Sequence, residues 1–282
     1  MSGTDMWQEE YKILNRRGYE VMRQLGEGAF SRVVLVRKRT DRLLHSQLAP
    51  GIFACKICYQ SKLGLQEGRL LQKLDHPLFP SFFGMWKEGD TVFILMEAVI
   101  GSNLEALIKR RGTLTERQAA RMGMELAAGL RYLHELPEPL LFRDVKPANI
   151  LVRQDGRIKL LDLGCVCRLG ERVYNLAGTP GFGAPEQLEA GHVLTAACDV
   201  YSLGRTLREA VGKDCSRSFA CVLDACTQVN AEIRLQDMRE VLIQLQPITK
   251  TGPTAGTFRL KRDLRTPIIC VKNIWESNYK NT

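Results

Sequence analysis

The sequence predicts an α+β fold in which a small β-rich part precedes a larger, mainly helical part. Up to about residue 100, short apolar runs alternate with turn residues, which is typical of strands. After residue 100, the segments 113–134 and 196–211 repeat their apolar residues at helical spacing. A run of strands followed by a run of helices favours α+β over an alternating α/β fold.

Length and composition exclude several classes of protein. With 282 residues, of which 45% are hydrophobic, the chain is long enough for one two-lobed domain or two small ones. The longest apolar run, 91–100, is about half the length of a membrane span and contains Glu97. The N-terminus has no basic segment followed by an apolar one. We therefore expect a cytoplasmic protein with no membrane span.

The net charge of +9 is concentrated in the C-terminal tail. Residues 247–282 hold seven Lys and Arg against two acids, and Gly252 and Pro253 mark a linker. A basic tail of this kind favours a solvated linker over a recognition surface, so we expect no nucleic-acid partner. The sequence predicts that 249–282 form a basic tail with a short β-rich run.

Nine cysteines raise the question of metal or redox chemistry. Cys55 and Cys58 lie three apart on a predicted strand, where they would face opposite ways, and no Cys/His tetrad completes a zinc site. We interpret the cysteines as reduced thiols of a cytosolic protein. Cys165 and Cys167 lie beside the Asp162 loop, where we expect them to be accessible.

The first chemical motif is a glycine hairpin that follows a polar N-terminal extension, residues 1–18. Residues 19–36 predict strand, turn and strand around GEGAFS. Gly26 and Gly28 would let the backbone approach a polyphosphate. A strand and not a helix follows the turn, which disfavours both the Rossmann and the Walker phosphate sites.

A lysine and a glutamate form the second candidate group. Lys56 lies in the apolar strand GIFACKIC, where a charge is costly unless it is paired or bound to an anion. Its expected partner is Glu67, in the helical segment QEGRLLQKL. Only eleven residues separate the two, so either the helix has lost its first turns or the pairing is strained. Gly64 and Gly68 disfavour the helix further.

The segment FRDVKPANILV, 142–152, holds the third group. Asp144 can take a proton from an alcohol, Lys146 can screen a phosphoryl group, and the amide of Asn149 can hold a magnesium ion. Thirteen residues after Asn149, Asp162 in LLDLG supplies a second hard oxygen ligand. Together these residue types predict a phosphoryl-transfer site.

These motifs resemble the eukaryotic-like (Hanks-type) serine/threonine protein kinases over about residues 19–246. RDVKPAN is similar to the kinase catalytic loop and Asp-Leu-Gly to the metal-binding DFG, while CDVYSLG resembles bacterial members. The resemblance implies a two-lobed protein-kinase fold, with a β-rich N-lobe at 19–100 and a helical C-lobe at 101–248. It also implies ATP and Mg²⁺ as cofactors and Ser/Thr hydroxyls of proteins as acceptors.

The resemblance assigns a role to each candidate residue. Asp144 would position the acceptor hydroxyl, Lys146 and Lys56 would orient phosphates with Glu67 holding Lys56, and Asn149 and Asp162 would bind Mg²⁺. The implied ATP contacts are Gly26, Gly28, Val33, Ala54, Lys56, Glu97, Val99, Asn103 and Leu151. A helix N-cap is an equally good explanation of Asn103.

A further set of residues would support the catalytic loop. The resemblance implies that Thr179 shapes the acceptor pocket, that Asp199 accepts N–H groups of the loop, and that Arg234 pairs with Glu186. Only 35 residues separate Asp199 from Arg234, so the helix that usually docks substrate is expected to be short or missing.

The usual activation-loop phosphorylation position is Asn175 here, although Arg143, which would receive the phosphate, is present. We therefore expect activity without phosphorylation at that position.

Three departures from the family pattern leave alternatives open. Ser31 replaces the third glycine, Phe142 the histidine before Arg-Asp, and Leu163 the phenylalanine of DFG. Ser31 and Phe142, together with the short helix before Glu67, are what a nucleotide-binding pseudokinase scaffold would show. A small-molecule phosphotransferase is disfavoured by Lys146-Pro147 and by segment 178–186. The sequence leaves the protein substrate and the oligomeric state open.

Overall fold

The computed structural model describes residues 3–28, 30–39, 51–174, 177–213 and 215–250. These residues form two compact units that divide after Val99, except that residues 75–79 belong to the second unit. The first unit is mainly strands and the second mainly helices, so the predicted α+β class is confirmed. Residues 40–50 and the predicted tail beyond residue 250 lie outside the described residues.

The first unit is built on one antiparallel sheet of five strands in the order β1-β2-β3-β5-β4. Its elements are α1 (Gly3–Arg16), β1 (Tyr19–Gly28), β2 (Ser31–Lys38), β3 (Ile52–Cys58), α2 (Ser61–Lys73), β4 (Phe82–Glu88) and β5 (Thr91–Glu97). The predicted strand-turn-strand motif at 19–36 forms the β1–β2 hairpin.

The strand register assigns the side chains of this sheet to two faces. Lys56 on β3 pairs with Val33 on β2 and Ile94 on β5, so the three side chains share one face, which α2 covers. The opposite face buries an apolar cluster together with two residues of α1. The cluster comprises Ile13, Leu14, Val34, Val36, Cys55, Ile57, Phe93 and Leu95.

Two glycines allow α2 to pack close to the sheet. A Cβ on Gly64 would lie 2.7 Å from the Cβ of Cys58 and 2.9 Å from the Cβ of Val92. A Cβ on Gly68 would collide with the thioether of Met85. Each glycine costs the helix about 1 kcal/mol relative to alanine. Close packing against the sheet offsets that cost, which propensity alone does not predict.

The second unit is built mainly from helices. It contains β6 (Gly101–Asn103), α3 (Leu104–Arg111), α4 (Glu116–His134), β7 (Leu140–Leu141), β8 (Ile150–Arg153), β9 (Ile158–Leu160), β10 (Cys167–Arg168), β11 (Arg172–Val173), β12 (His192–Val193), α5 (Ala197–Val211), α6 (Arg217–Cys226) and α7 (Met238–Lys250). Strands β6, β8 and β9 form a small sheet, and α4 packs against α5 and α7.

The helix predicted at 113–134 forms as α4. Thr115 caps it in a reciprocal arrangement with Gln118, whose side chain accepts from the N–H of Thr115. Between Val211 and Arg234, the residues that the structure describes form one α-helix, α6, and one 3-10 turn, Ala231–Ile233. Among the described residues, no helix combines the length and the apolar character needed to cross a bilayer.

We predict that Gly64→Ala destabilises the protein, although alanine is the better helix former. The new methyl group would meet two β-carbons that cannot rotate away, so α2 must shift from the sheet. We expect a loss of about 1–3 kcal/mol in the free energy of unfolding, measured by urea denaturation. Gly84→Ala is the control, since its methyl group would meet nothing within 4 Å. An unchanged or raised stability for Gly64→Ala would contradict the packing argument.

Candidate functional site

The candidate residues fall into two groups, one in each unit, and the first group centres on Lys56. Its ammonium nitrogen lies 2.6 and 2.7 Å from the two carboxylate oxygens of Glu67. Both side chains are largely buried, so each charge depends on the other for compensation. The short spacing is therefore accommodated by a helix that begins at Ser61 and lies close to β3.

The glycine hairpin joins β1 to β2, and β2 pairs with β3, the strand that carries Lys56. Gly26 pairs with Val33, and Gly28 pairs with Ser31 at the turn. Gly28 has no positive φ, and a Cβ placed there would meet no described atom closer than 3.8 Å. The fold itself does not require glycine at 28, which leaves room for a ligand to approach the backbone. Val33 and Ala54 lie on the same face as Lys56.

The remaining predicted ATP contacts lie on three different elements. Glu97 ends β5, where its N–H donates to the carbonyl of Ser81 at 2.8 Å. Val99 is buried, and Leu151 is buried on β8. Asn103 caps α3, because its Oδ1 accepts from the N–H of Ala106 at 2.7 Å. The cap accounts for Asn103, while its ribose contact stays a prediction.

The second group centres on Asp144, Lys146 and Thr179, which contact one another. The hydroxyl of Thr179 donates to Oδ1 of Asp144 at 2.8 Å, and Lys146 lies 2.8 Å from Oδ2. Lys146 also donates to the hydroxyl of Thr179. Asp144 and Lys146 are each about 95% buried, so the carboxylate is oriented by fixed donors and not by water.

Asn149 and Asp162 present oxygen atoms suited to a hard cation. The amide nitrogen of Asn149 donates to the carbonyl of Asp144 at 2.8 Å and to its carboxylate at 2.9 Å. Its Oδ1 is buried and makes no hydrogen bond to a described residue. Asp162 has a φ of 70°, a strained conformation, and its Oδ1 accepts from the N–H of Gly164 at 3.2 Å. The described residues form no cluster of three or more His, Cys, Asp or Glu suited to a metal.

Asp199 fixes the backbone on which this group stands. Its fully buried carboxylate accepts from the N–H of Phe142 at 2.8 Å and from the N–H of Arg143 at 2.7 Å. Nε2 of His134, on α4, lies 2.9 Å from the same carboxylate. Arg143 has a φ of 70°, and these two hydrogen bonds hold the strained residue in place.

Gln187 joins the catalytic loop to the segment that carries Thr179. Its buried amide donates to the carbonyl of Arg143 at 2.7 Å and to that of Ala177 at 2.9 Å. A Cβ on Gly178 would collide with the same amide, and Gly178 has a φ of 128°. Glycine at 178 and glutamine at 187 therefore fit each other, and together they set the position of Thr179.

Glu186 and Arg234 form an ion pair as the resemblance implies. The guanidinium lies 2.6 and 3.1 Å from the two carboxylate oxygens and also donates to the carbonyl of Ala197 at 2.8 Å. Burial acts to raise the pKa of Glu186, but the hydrogen bond and charge of Arg234 outweigh it and lower that pKa. The pair ties segment 185–187 to the start of α5.

Two of the three residues that depart from the family pattern, Phe142 and Leu163, are packed apolar groups. Phe142 is fully buried and Leu163 is nearly so. Cys165, beside them, is only partly exposed, and burial and then the charges of Asp144 and Asp162 raise its pKa to about 12. The thiol of Cys165 is therefore protonated at neutral pH. Its partial exposure does not make it a reactive thiolate.

Sequence reasoning missed three residues of this region: His134, Gln187 and Thr206. Thr206 on α5 donates to the carbonyl of Val145 at 3.0 Å. Each of the three hydrogen-bonds a group far away along the chain. A polar residue on a buried helix face is the one signal that could have indicated His134 and Thr206.

Comparison with known proteins gives a consistent result. The family model described as "Protein kinase domain" matches residues 19–239. The chain is 30% identical over 199 residues to the human cAMP-dependent protein kinase catalytic subunit PRKX. It is 30% identical over 195 residues to the cAMP-dependent protein kinase catalytic subunit 3 of Drosophila melanogaster. It is 32% identical over 192 residues to the cGMP-dependent protein kinase of Toxoplasma gondii.

The matched region covers most of this chain but only part of its relatives. It spans 69%, 68% and 67% of this chain for the human, Drosophila and Toxoplasma proteins. It spans 54%, 32% and 19% of those proteins. The chain thus spans about half or less of the length of these curated relatives.

We predict that Gln187→Met lowers stability by about 1–3 kcal/mol, because the buried carbonyl of Arg143 and the partly buried carbonyl of Ala177 lose their donor while the side-chain length is kept. Urea denaturation followed by circular dichroism measures the change.

The control is Gln228→Met, which removes one exposed hydrogen bond, from Gln228 to the carbonyl of Asp224. If both variants unfold at the same urea concentration, Gln187 does not tie the two segments together.

Proposed function

Since the chain belongs to the protein kinase domain family, we propose that it transfers the γ-phosphoryl group of ATP to Ser or Thr hydroxyls of proteins. The observation that carries the proposal is the closed contact set of Asp144, Lys146 and Thr179. It joins a buried carboxylate, an ammonium group and a hydroxyl, which are the groups that positioning and charge stabilisation require in phosphoryl transfer.

Asp144 is the group that we propose positions the acceptor hydroxyl. Its carboxylate accepts hydrogen bonds from Thr179, Lys146 and Asn149, so its orientation is fixed before substrate binds. A carboxylate held in this way can accept the proton of an alcohol as the oxygen attacks phosphorus. Lys146, in contact with the same carboxylate, would balance charge on the transferred group.

Asn149 and Asp162 fit the magnesium ions that this chemistry uses. The buried Oδ1 of Asn149 has no described partner, and an amide oxygen left unpaired at such a depth is costly unless it binds something. Asp162, which would supply the carboxylate, has a strained main-chain conformation of a kind that proteins retain at functional sites. When bound, Mg²⁺ would neutralise charge on the phosphates.

The first unit supplies the proposed nucleotide contacts. Lys56, held by Glu67, would contact phosphate oxygens, and the backbone at Gly26 and Gly28 would approach them. The remaining proposed contacts, all predictions from the resemblance, are Val33, Ala54, Glu97, Val99, Asn103 and Leu151.

The acceptor class follows from the catalytic loop and from Thr179. In the family, a lysine two residues after the catalytic aspartate is typical of serine/threonine enzymes, and here Lys146 contacts both Asp144 and Thr179. The human PRKX and Toxoplasma relatives are named as cAMP- and cGMP-dependent protein kinases. Dependence on a cyclic nucleotide is a property of those proteins. The cytoplasmic location of this chain stays a prediction.

We predict that Asp144→Asn lowers phosphoryl transfer at least about 100-fold while nucleotide binding persists, since the substitution removes the proton acceptor and keeps the side-chain size. Transfer of radiolabelled phosphate from Mg-ATP, followed by phosphosite mapping, measures the effect. Asp155→Asn, in an exposed turn, is the matched control.

Wild-type rates in the Asp144→Asn variant would contradict the assignment. Nucleotide binding without any transfer by the wild-type protein would support the pseudokinase alternative instead.

We also predict that Tyr174→Phe keeps full activity. Tyr174 is an exposed hydroxyl residue in the segment before Thr179, whereas Asn175, the position at which the family is usually phosphorylated, lies outside the described residues. Because Asp199 and Gln187 already hold the main-chain N–H and carbonyl of Arg143, we expect the catalytic loop to keep its conformation without a loop phosphate. Activity that disappears on phosphatase treatment or with Tyr174→Phe would overturn this expectation.

A further inference from the structure

The N-terminal helix α1 is an integral part of the first unit. Leu14 is fully buried and Ile13 nearly so, both in the cluster on the sheet face opposite to Lys56. Glu10 lies one turn before them, on the same side of the helix, and is only 4% exposed. A carboxylate buried to this extent requires a partner, and its partner is on the sheet.

That partner, Arg32, links α1 to the glycine hairpin. Nη1 of Arg32 donates to Glu10 at 2.8 Å, and Nη2 donates to Glu27 at 2.7 Å. Glu27 is the residue between Gly26 and Gly28, and its second oxygen accepts from Gln24 at 3.1 Å. The side chain between the two glycines is therefore connected, through one guanidinium, to a buried residue of α1.

One further hydrogen bond involves the same turn, and Glu10 also acts on a neighbouring tyrosine. The N–H of Tyr59 donates to the carbonyl of Phe30 at 2.9 Å, which fixes the other side of the turn. Burial, and then the negative charge of Glu10, raise the pKa of the Tyr59 hydroxyl. Arg32 faces two carboxylates, and its positive charge offsets part of the negative charge beside a turn that would approach phosphates.

We propose that Glu10 of α1 is a positioning residue for ATP, acting through Arg32 and Glu27 on the glycine turn. This inference rests on the proposed function, since it assumes that the turn binds the phosphates. A turn that is held in place loses less conformational freedom when it binds, so the affinity for the nucleotide is higher. The contribution falls on nucleotide binding, while the rate of transfer from bound ATP depends on the second group of residues.

The experiment compares Glu10→Gln with Glu20→Gln in the full chain. Glu20 carries the same charge as Glu10 and pairs with Arg37 at 2.8 Å, but it is exposed and lies on β1 at the end of the hairpin away from the turn. We expect Glu10→Gln to raise KM for ATP roughly fivefold, the effect of weakening one charge-assisted hydrogen bond, with kcat within twofold of wild type. We expect Glu20→Gln to change neither.

Hydrogen exchange provides a readout that does not depend on activity. Without nucleotide, the amides of residues 24–33 should exchange faster in Glu10→Gln and not in Glu20→Gln. Because both carboxylates act through Arg32, Glu27→Gln should reproduce both effects, and the double variant should be less impaired than the sum of the two single changes.

The outcomes separate this inference from the proposed function. Equal KM and equal exchange in Glu10→Gln and Glu20→Gln would overturn the inference and leave the kinase assignment intact. If Glu10→Gln does not fold, Glu27→Gln, a partly exposed residue, decides, and wild-type behaviour there overturns the inference. If the wild-type protein transfers no phosphate, the kinase proposal fails, and the exchange data alone support or overturn the link from Glu10 to the turn.

Discussion

The carboxylate of Asp199 is the interaction on which the candidate catalytic residues depend. It is fully buried, it accepts two successive backbone N–H groups, and it lies beside His134. An ionised carboxylate is stable at such a depth only when donors surround it, so the backbone at 142–143 is held in one conformation. Asp144 is the next residue in the chain. Because Asp199 holds the backbone before it, the orientation of Asp144 is set before any ligand binds.

The first unit also contains charges that need compensation, and they lie on both faces of a single sheet. On one face Lys56 is paired with Glu67, and on the other Arg32 is paired with Glu10 and Glu27. Removing one partner of the largely buried Lys56–Glu67 pair would leave an uncompensated charge, which costs about 3–5 kcal/mol, whereas Arg32 keeps one carboxylate partner when the other is removed. The helices α2 and α1, which supply Glu67 and Glu10, also cover the two faces of the sheet, so the packing of the sheet and the placement of its charges depend on each other.

Much of this arrangement could be predicted from the sequence because it is local. The glycine hairpin, the lysine within an apolar strand and the loop from Asp144 to Asn149 are short patterns in which residue type and spacing specify the chemistry. The short spacing between Lys56 and Glu67 was predicted as a difficulty, and the structure resolves it through Gly64. Helix propensity alone predicts that Gly64 weakens α2, because a propensity scale contains no information about Cys58 and Val92, which α2 contacts.

The sequence by itself determined which groups are available: the carboxylates, the ammonium groups, the amide and the order in which they occur. Only the tertiary structure decided which groups meet. Gln187 contacts Arg143 across 44 positions, and Arg32 contacts Glu10 across 22. The N-terminal segment, polar overall and without a motif, becomes part of the first unit's core for the same reason. Contacts between distant residues depend on how whole elements pack, and periodicity within one element contains no record of its partner.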